Sequence, residues 1–389
     1  MRRRKARQRR RKATIVQSGL SIVFVVALIA LAVVGWRSSL KLTGGRDLEV
    51  TDPAAPGYVA EVKPTTVDLL AVTGEDGELA TMLLVIGDAD SATTTIVPIS
   101  AWMTLWQFED ANPASARTLF SSGGIDVLQI RLGADLTFGA TDAVTATADQ
   151  IEELAAAVGP VTVNLPDNVL VDDGTGGSVV RYPSGPLTLQ PDEIMEFLSI
   201  QGQSEAELNR SLRLGQVWDA LLAQPGAQGG ADGSAAVDSV VGELIAGLGE
   251  TELSVQLLPT NEVPLPISPP VSLDQVDRVA MSTWVPTYVP LPISAYPGQR
   301  ATVNLLNGSS SSDAVTTVVP RVVAGGGEIA LTGNAESFDV ATSTVVYSNI
   351  ESKTAADAIA AQLGLTATQV EDSATRVDVT VVVGKDLVP

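Results

Sequence analysis

Nine of the first twelve residues are basic, and the chain then turns abruptly apolar: from Ile15 to Trp36 every residue is apolar or small except Gln17. About 20 such residues at 1.5 Å each cross a hydrocarbon core, so the pattern predicts one transmembrane helix over 13–36. Arg2, Arg3, Arg4, Lys5, Arg7, Arg9, Arg10, Arg11 and Lys12 flank its start, whereas Arg37, Lys41 and Arg46 follow it sparsely. The positive-inside rule then keeps residues 1–12 in the cytoplasm and puts the body outside. Ala30-Leu31-Ala32 resembles a cleavage site, but the apolar run continues through Val33, Val34 and Trp36, which favours an uncleaved anchor.

Beyond the anchor, residues 37–64 read as a stalk, since Thr51-Asp52-Pro53-Ala54-Ala55-Pro56-Gly57 is too broken for a regular element. Val67–Val72, Thr81–Ile86 and Thr94–Val97 are short apolar runs between polar turns, the mark of buried strands. Ile151, Leu154, Ala155 and Val158 recur at helical spacing before the stop Gly159-Pro160 and a strand over 161–165. Pro191 with Asp192 and Glu193 behind it starts a helix carrying Ile194, Phe197 and Leu198. Ser204-Glu205-Ala206-Glu207 reads as a capping box ahead of a helix carrying Leu208, Leu212, Trp218 and Leu222. Strands interspersed with helices predict an α/β domain over 65–225.

The stretch 226–298 reads as a Gly- and Pro-rich connector with extended segments. Within it Val263-Pro264-Leu265-Pro266-Ile267-Ser268 recurs at 289–294, and such alternating proline suits extended chain at sheet edges. A small α+β domain is expected over 299–389, with strands at 301–306, 343–347 and 377–383 and helices at 314–323 and 355–363. Val303, Leu305, Val345, Val381 and Val383 would face its helices.

Composition narrows the chemistry. The 389 residues include no Cys and no His, which excludes His- or Cys-ligated zinc, Ser-His-Asp and Cys-His nucleophile systems, haem His ligation and Fe–S clusters. After Lys12, 15 Lys and Arg face 45 Asp and Glu, a balance of −30 that repels nucleic acid phosphates; no nucleic acid partner is expected. Asp172-Asp173-Gly174-Thr175-Gly176-Gly177 lacks a following Lys-Ser/Thr or helix and reads as a hairpin loop. Asp88-Ala89-Asp90 and the sequon-like Asn307-Gly308-Ser309 read as turns.

Several stretches carry a resemblance. Ala157-Val158-Gly159-Pro160-Val161-Thr162-Val163-Asn164-Leu165-Pro166 resembles "LGGVTVNVP" of the LytR-CpsA-Psr envelope proteins, and Tyr182-Pro183-Ser184-Gly185 through Leu198 resembles their "FPAG…LNGEQALAYV". Phe120-Ser121-Ser122-Gly123-Gly124 is similar to "NAAYAYGG". The tail resembles the LytR C-terminal domain in Val303–Gly308, Gly333–Asp339 and Val379–Asp386. The resemblance implies an α/β LytR-CpsA-Psr-like domain plus the small C-terminal domain. It also implies transfer of glycopolymers from a polyprenyl pyrophosphate lipid to peptidoglycan, with an Arg cluster, carboxylates and a magnesium ion. Such chemistry needs guanidinium forks or a divalent cation to neutralise two phosphates.

The residues depart from that pattern where it matters. The "R-S-D-T" position reads Glu78-Leu79-Ala80-Thr81, "S-I-P-R-D" reads Ile96-Val97-Pro98-Ile99-Ser100, and "Y-V-R-Y-R" reads Phe197-Leu198-Ser199-Ile200-Gln201. Only Arg210-Ser211-Leu212-Arg213 matches, at "R-I-E-R". Arg210 and Arg213, three apart on a helix, are the candidate phosphate ligands; the alternative is a solvated face paired to Glu207 or another acid. No catalytic residue and no metal ligand is assigned. Arg117, Arg131 and Arg181 fall on no family catalytic position and are expected to lie on the surface or pair locally. Three readings stay open: a non-catalytic membrane-anchored protein that binds an envelope polymer or an active relative, a transferase using Arg210 and Arg213 with magnesium, and a structural envelope scaffold.

Overall fold

The computed structural model describes residues 58–87, 93–105, 114–203, 205–223, 251–265, 271–295, 300–371 and 377–388. The expected tail and transmembrane helix, the stalk up to residue 57, Asp88-Ala89-Asp90 and connector residues 226–250 lie outside the described residues. Among the described residues no helix is long and apolar enough to cross a membrane.

A short strand, β1 (Val59–Glu61), precedes the three strands expected from the apolar runs: β2 (Thr66–Thr73), β3 (Leu79–Gly87) and β4 (Thr93–Ser100). These read as continuous apolar runs rather than alternating ones because both faces of their sheet are covered. β5 (Thr104–Leu105) and β6 (Ala114–Ser115) lead into α1 (Ala116–Leu136), capped by Ser115, whose side chain accepts from the Thr118 N–H. Gly123 and Gly124 interrupt α1, and the φ of 66° at Gly124 is one that glycine adopts without steric cost. β7 (Asp142–Ala146) is followed by α2 (Ala148–Val158), which starts at a capping box of Thr147 and Gln150 and ends at Gly159.

β8 (Val161–Leu165) pairs antiparallel with β11 (Gly185–Leu189); between them β9 (Val169–Asp172) and β10 (Ser178–Tyr182) form a hairpin. Its loop is the Asp172–Gly177 turn, closed by Asp173 Oδ1 accepting from Thr175 and Gly177 N–H groups. A single 3-10 turn, Pro191–Glu193, opens α3 (Ile194–Ser199), and α4 (Glu207–Leu222) follows. The capping box expected there does not form: Ala206 is the N-cap and makes no side-chain cap bond, while Ser204 lies outside the described residues.

The first domain does not stop at residue 225. β12 (Glu252–Val255) runs parallel to β4, completing a five-stranded sheet of order β12-β4-β3-β2-β7. β13 (Thr260–Leu265) and β14 (Val271–Val276) form an antiparallel pair beside β5, and α5 (Arg278–Tyr288) follows. Their burial explains the correction: Leu258, Val276, Met281, Trp284, Val285 and Val289 belong to one apolar core with Leu69, Met82, Leu84, Val97 and residues of α1. The opposite face of the sheet, Leu70, Val72, Leu83, Val85 and Ile96, packs on α2, α3 and α4. The architecture is thus α/β/α, with helices on both faces. Of the repeated hexapeptide, Val263–Leu265 falls in the edge strand β13, with Pro264 opposite Ser272. The second copy runs extended past Thr65, which bonds both backbone groups of Leu291.

β15 (Ala301–Asn307), α6 (Ala314–Ala324), β16 (Gly327–Asn334), β17 (Thr344–Tyr347), α7 (Lys353–Leu363), β18 (Ala367–Gln369) and β19 (Val379–Val383) form the second domain. Its sheet order is β1-β16-β15-β19-β17-β18. Val303, Leu305, Val345, Val381 and Val383 are all buried, in one core with Val318 and Val322 of α6 and Ile359 and Leu363 of α7. Two expectations need correction. β15 is parallel to both β16 and β19, so α6 is a crossover of a βαβ unit and the sheet is mixed, rather than the segregated α+β arrangement. β1 supplies the edge strand beside β16, so Val59–Glu61 belongs to this sheet and not to a stalk. Asn307 is fully buried, its Oδ1 accepting from Ser309 and its Nδ2 donating to the Ser311 carbonyl; it pins the turn after β15 and presents no amide to a glycan.

Candidate functional site

The i, i+3 spacing does put Arg210 and Arg213 on one face of α4, but that face points inward. The helix is oriented by the stripe Leu214, Val217, Trp218, Leu221 and Leu222, all buried. Continued toward the N-terminus, the same stripe passes through Arg210 and Glu207, so these are drawn inside while Leu208 and Leu212 stay 57% and 37% exposed. The alternative of a solvated face paired to an acid holds in its pairing and fails in its solvation: Arg210 pairs with Glu207, but the two guanidinium-bearing side chains are 6% and 1% exposed.

Each buried charge is matched. Arg213 Nε donates to Glu205 Oε1 at 2.6 Å and its Nη2 to Glu205 Oε2 at 3.0 Å, while Nη1 and Nη2 also donate to the carbonyls of Phe197 (2.7 Å) and Ile200 (2.5 Å) at the end of α3. Arg210 reaches Glu207 at 2.5 Å and Glu205 at 3.3 Å. Burial alone would raise the Glu205 pKa, but the Arg213 hydrogen bonds and charge, helped by Arg210 and the Gly202 N–H, hold it below the ordinary carboxylate range. Glu207 goes the other way: burial pushes it up to about 7 against the pull of Arg210, and Asp274 on β14 adds to the rise.

A second place gathers three of the positions where the resembled family carries Arg or Asp, Glu78, Ala80 and Ser199. A cleft of about 590 Å³ is lined by Gly74, Glu75, Asp76, Glu78, Ala80, Arg117 and Ser199, bringing Ala80 of β3 and Ser199 of α3 together. Its lining holds three carboxylates and one guanidinium, and the guanidinium is engaged. Arg117 donates to Asp76 at 3.1 Å and to the Leu79 carbonyl at 3.1 Å, lies 3.7 Å from Glu78, and stacks over Trp102 at 5.4 Å. Arg181 likewise pairs with Glu196 on α3. Ile99 and Ser100 are buried to 1% in β4 and present nothing to solvent. Among the described residues no group of three or more Asp and Glu stands close enough together to hold a metal ion.

Sequence reasoning missed the acidic character of this cleft, because Glu75 and Asp76 sit in a turn that reads only as a break between strands. The signal available was Glu78 in place of the family's Arg.

Residues 300–387 match the family model described as LytR cell envelope-related transcriptional attenuator. The tail is a LytR C-terminal domain. No curated protein matches the chain in sequence. Solved structures similar to it include TagV of B. subtilis, with a TM-score of 0.43 at 13% identity over 59% of this chain and 98% of that one. TagT of B. subtilis gives 0.43 at 15% identity over 62% and 95%. A LytR-CPS2A-psr family protein, YwtF (TagT), with bound octaprenyl pyrophosphate lipid gives 0.42 at 14% identity over 62% and 94%. The core of the LytR C-terminal domain is built on β15, β17 and β19 with α6 and α7.

Proposed function

We propose that this protein is a membrane-anchored, extracytoplasmic envelope protein of the LytR-CpsA-Psr kind that lacks transfer chemistry and acts by binding an envelope polymer or an active relative. The observation that carries this is the cleft of Glu75, Asp76, Glu78, Ala80, Arg117 and Ser199: a pyrophosphate there meets more carboxylates than cations, and the Arg117 guanidinium is already paired. Transfer of a phosphoryl group requires fixed positive charge aimed at the phosphate oxygens, and the two Arg that match the family motif spend theirs on Glu205, Glu207 and backbone carbonyls.

The full chain in detergent, given a polyprenyl pyrophosphate-linked saccharide with magnesium, is expected to show no hydrolysis or transfer above a matched blank. Magnesium-dependent turnover abolished by Arg210→Ala would overturn this reading and promote the transferase. The topology is tested separately: protease added to intact, wall-stripped cells should degrade the body. Full protection, with an extracellular control cut, would sink the anchored arrangement.

A further inference from the structure

A cavity of about 250 Å³ lies between the turn joining β8 to β9 and the start of α4. Asp167, Asn168, Gln203 and Asn209 line it, with the buried pair Arg213 and Glu205 also in its wall. We propose that this cavity binds one ring of a neutral, polyhydroxylated glycan. The proposal deepens the binding role given above and rests on it only for the choice of an envelope saccharide as ligand.

The polar groups fit an uncharged ligand and not an anion. Asn168 Oδ1 accepts from the Ser184 N–H at 2.7 Å, Asn209 Nδ2 donates to Asp167 Oδ2 at 2.8 Å, and Gln203 Oε1 accepts from the Ser178 hydroxyl. Each side chain is thus fixed by one hydrogen bond and keeps a second polar group. Asn168 Nδ2 and Gln203 Nε2 are donors, and Asp167 Oδ1 and Asn209 Oδ1 acceptors, with no hydrogen bond among the described residues. A hydroxyl both donates and accepts, so neighbouring hydroxyls of one ring satisfy such a mixed set, whereas an ionised phosphate only accepts and would face Asp167. The guanidinium behind them offers little compensation, since Arg213 commits four of its five N–H donors to Glu205 and two carbonyls. The volume, just under the roughly 300–1,000 Å³ of drug-sized sites, suits a single ring and not a prenyl chain. Side chains already held by protein hydrogen bonds lose little freedom on binding.

The test is calorimetric titration of the full chain in a zwitterionic detergent with chitotetraose and with maltotetraose, and with inorganic pyrophosphate in parallel. At least one oligosaccharide should saturate with a Kd below about 10 mM, with little dependence on salt and no competition by pyrophosphate. Asp167→Ala should weaken binding about tenfold through the lost acceptor, and Ala206→Leu, which fills the cavity from the N-cap of α4, should abolish it. Circular dichroism of both variants controls for folding, as neither residue belongs to the buried ion network. Absence of saturation by either oligosaccharide, indifference of binding to both variants, or displacement by pyrophosphate would overturn the site. Missing saccharide binding without lipid pyrophosphate turnover defeats this site alone, while turnover defeats the non-catalytic reading whatever the saccharide does.

Discussion

Replacing Arg213 by Met separates a structural guanidinium from a ligand-binding one. The side chain is 1% exposed and bonds Glu205 through two nitrogens, and it also satisfies the carbonyls of Phe197 and Ile200. Met matches much of the aliphatic volume, so the cavity cost is small and the loss is electrostatic: Glu205 keeps only Arg210 at 3.3 Å and the Gly202 N–H. Breaking a buried pair from one side costs about 3–5 kcal/mol, because the remaining charge is stranded in low dielectric. Arg181→Ala is the control, since that pair is 41% and 46% exposed and solvent screens it; little loss is expected. The assay is hydrogen–deuterium exchange across 194–222 with guanidinium unfolding followed in parallel. Arg213→Met should raise exchange in α3 and α4 together, because this one side chain ties the end of the first to the second. Pairing it with Glu205→Gln should recover part of the loss, as no carboxylate is then stranded. If Arg213→Met cost no more than Arg181→Ala, the network would not hold the fold and the guanidinium would be available to a phosphate, contrary to the reasoning here.

Glu207 titrates in the folded protein near 7, above its usual value of 4.5, so the folded state holds this proton more tightly than the unfolded chain. Its contribution to stability is therefore lost as pH rises from about 4.5 through about 7, by an amount of the order of 3 kcal/mol, and Glu207→Gln should flatten that window of the unfolding profile; parallel profiles would refute the assignment. Gly325→Ala should destabilise the LytR C-terminal domain by about 1–3 kcal/mol, measured by its unfolding midpoint, because the new Cβ would stand 2.6 Å from the Ile359 Cα of α7, which is backbone and cannot rotate away. Residues 300–388 expressed alone should be soluble and unfold cooperatively, since the core of β15, β17, β19, α6 and α7 is internal to them. Lacking β1, that fragment leaves the β16 edge unpaired, so fusing residues 59–61 back should raise its midpoint and reduce any self-association seen by sedimentation.

Much of the fold could be read from the chain because apolar period and stop signals are local. The stop Gly159 acts within a few residues of α2, and the runs that became β2, β3 and β4 are mostly apolar, although Asp68 and several Thr interrupt them. Non-local pairing was not legible. β12 joins β4 across some 150 residues of sequence, and its segment Glu252–Val255 alternates too briefly to announce a strand. β1 pairs with β16 across a still longer separation, from within a stretch whose Pro and Gly read as stalk. α1 was hidden for a local reason, as Gly123-Gly124 breaks its apolar rhythm at the point where the helix itself breaks.

The candidate site failed to be legible in a more instructive way. On α4 a helical wheel built from apolar residues alone counts Leu208 and Leu212 with Trp218 and Leu222, and so leaves Arg210 and Arg213 free to face solvent or a ligand. The buried stripe Leu214, Val217, Trp218, Leu221 and Leu222 sets the rotation, and it can carry the arginines inward because Glu205 in the turn before the helix and the last carbonyls of α3 provide acceptors for a guanidinium. Two charges that match a phosphate-binding motif by residue type and spacing are then consumed by the fold, because unpaired burial of either the carboxylate or the carbonyls would cost more than the exposure of two leucines. The same rotation brings Asn209, the residue just before Arg210, to the cavity beside Asp167. Which charges a ligand could reach is therefore set by burial and pairing, and a charge count along the chain does not report it.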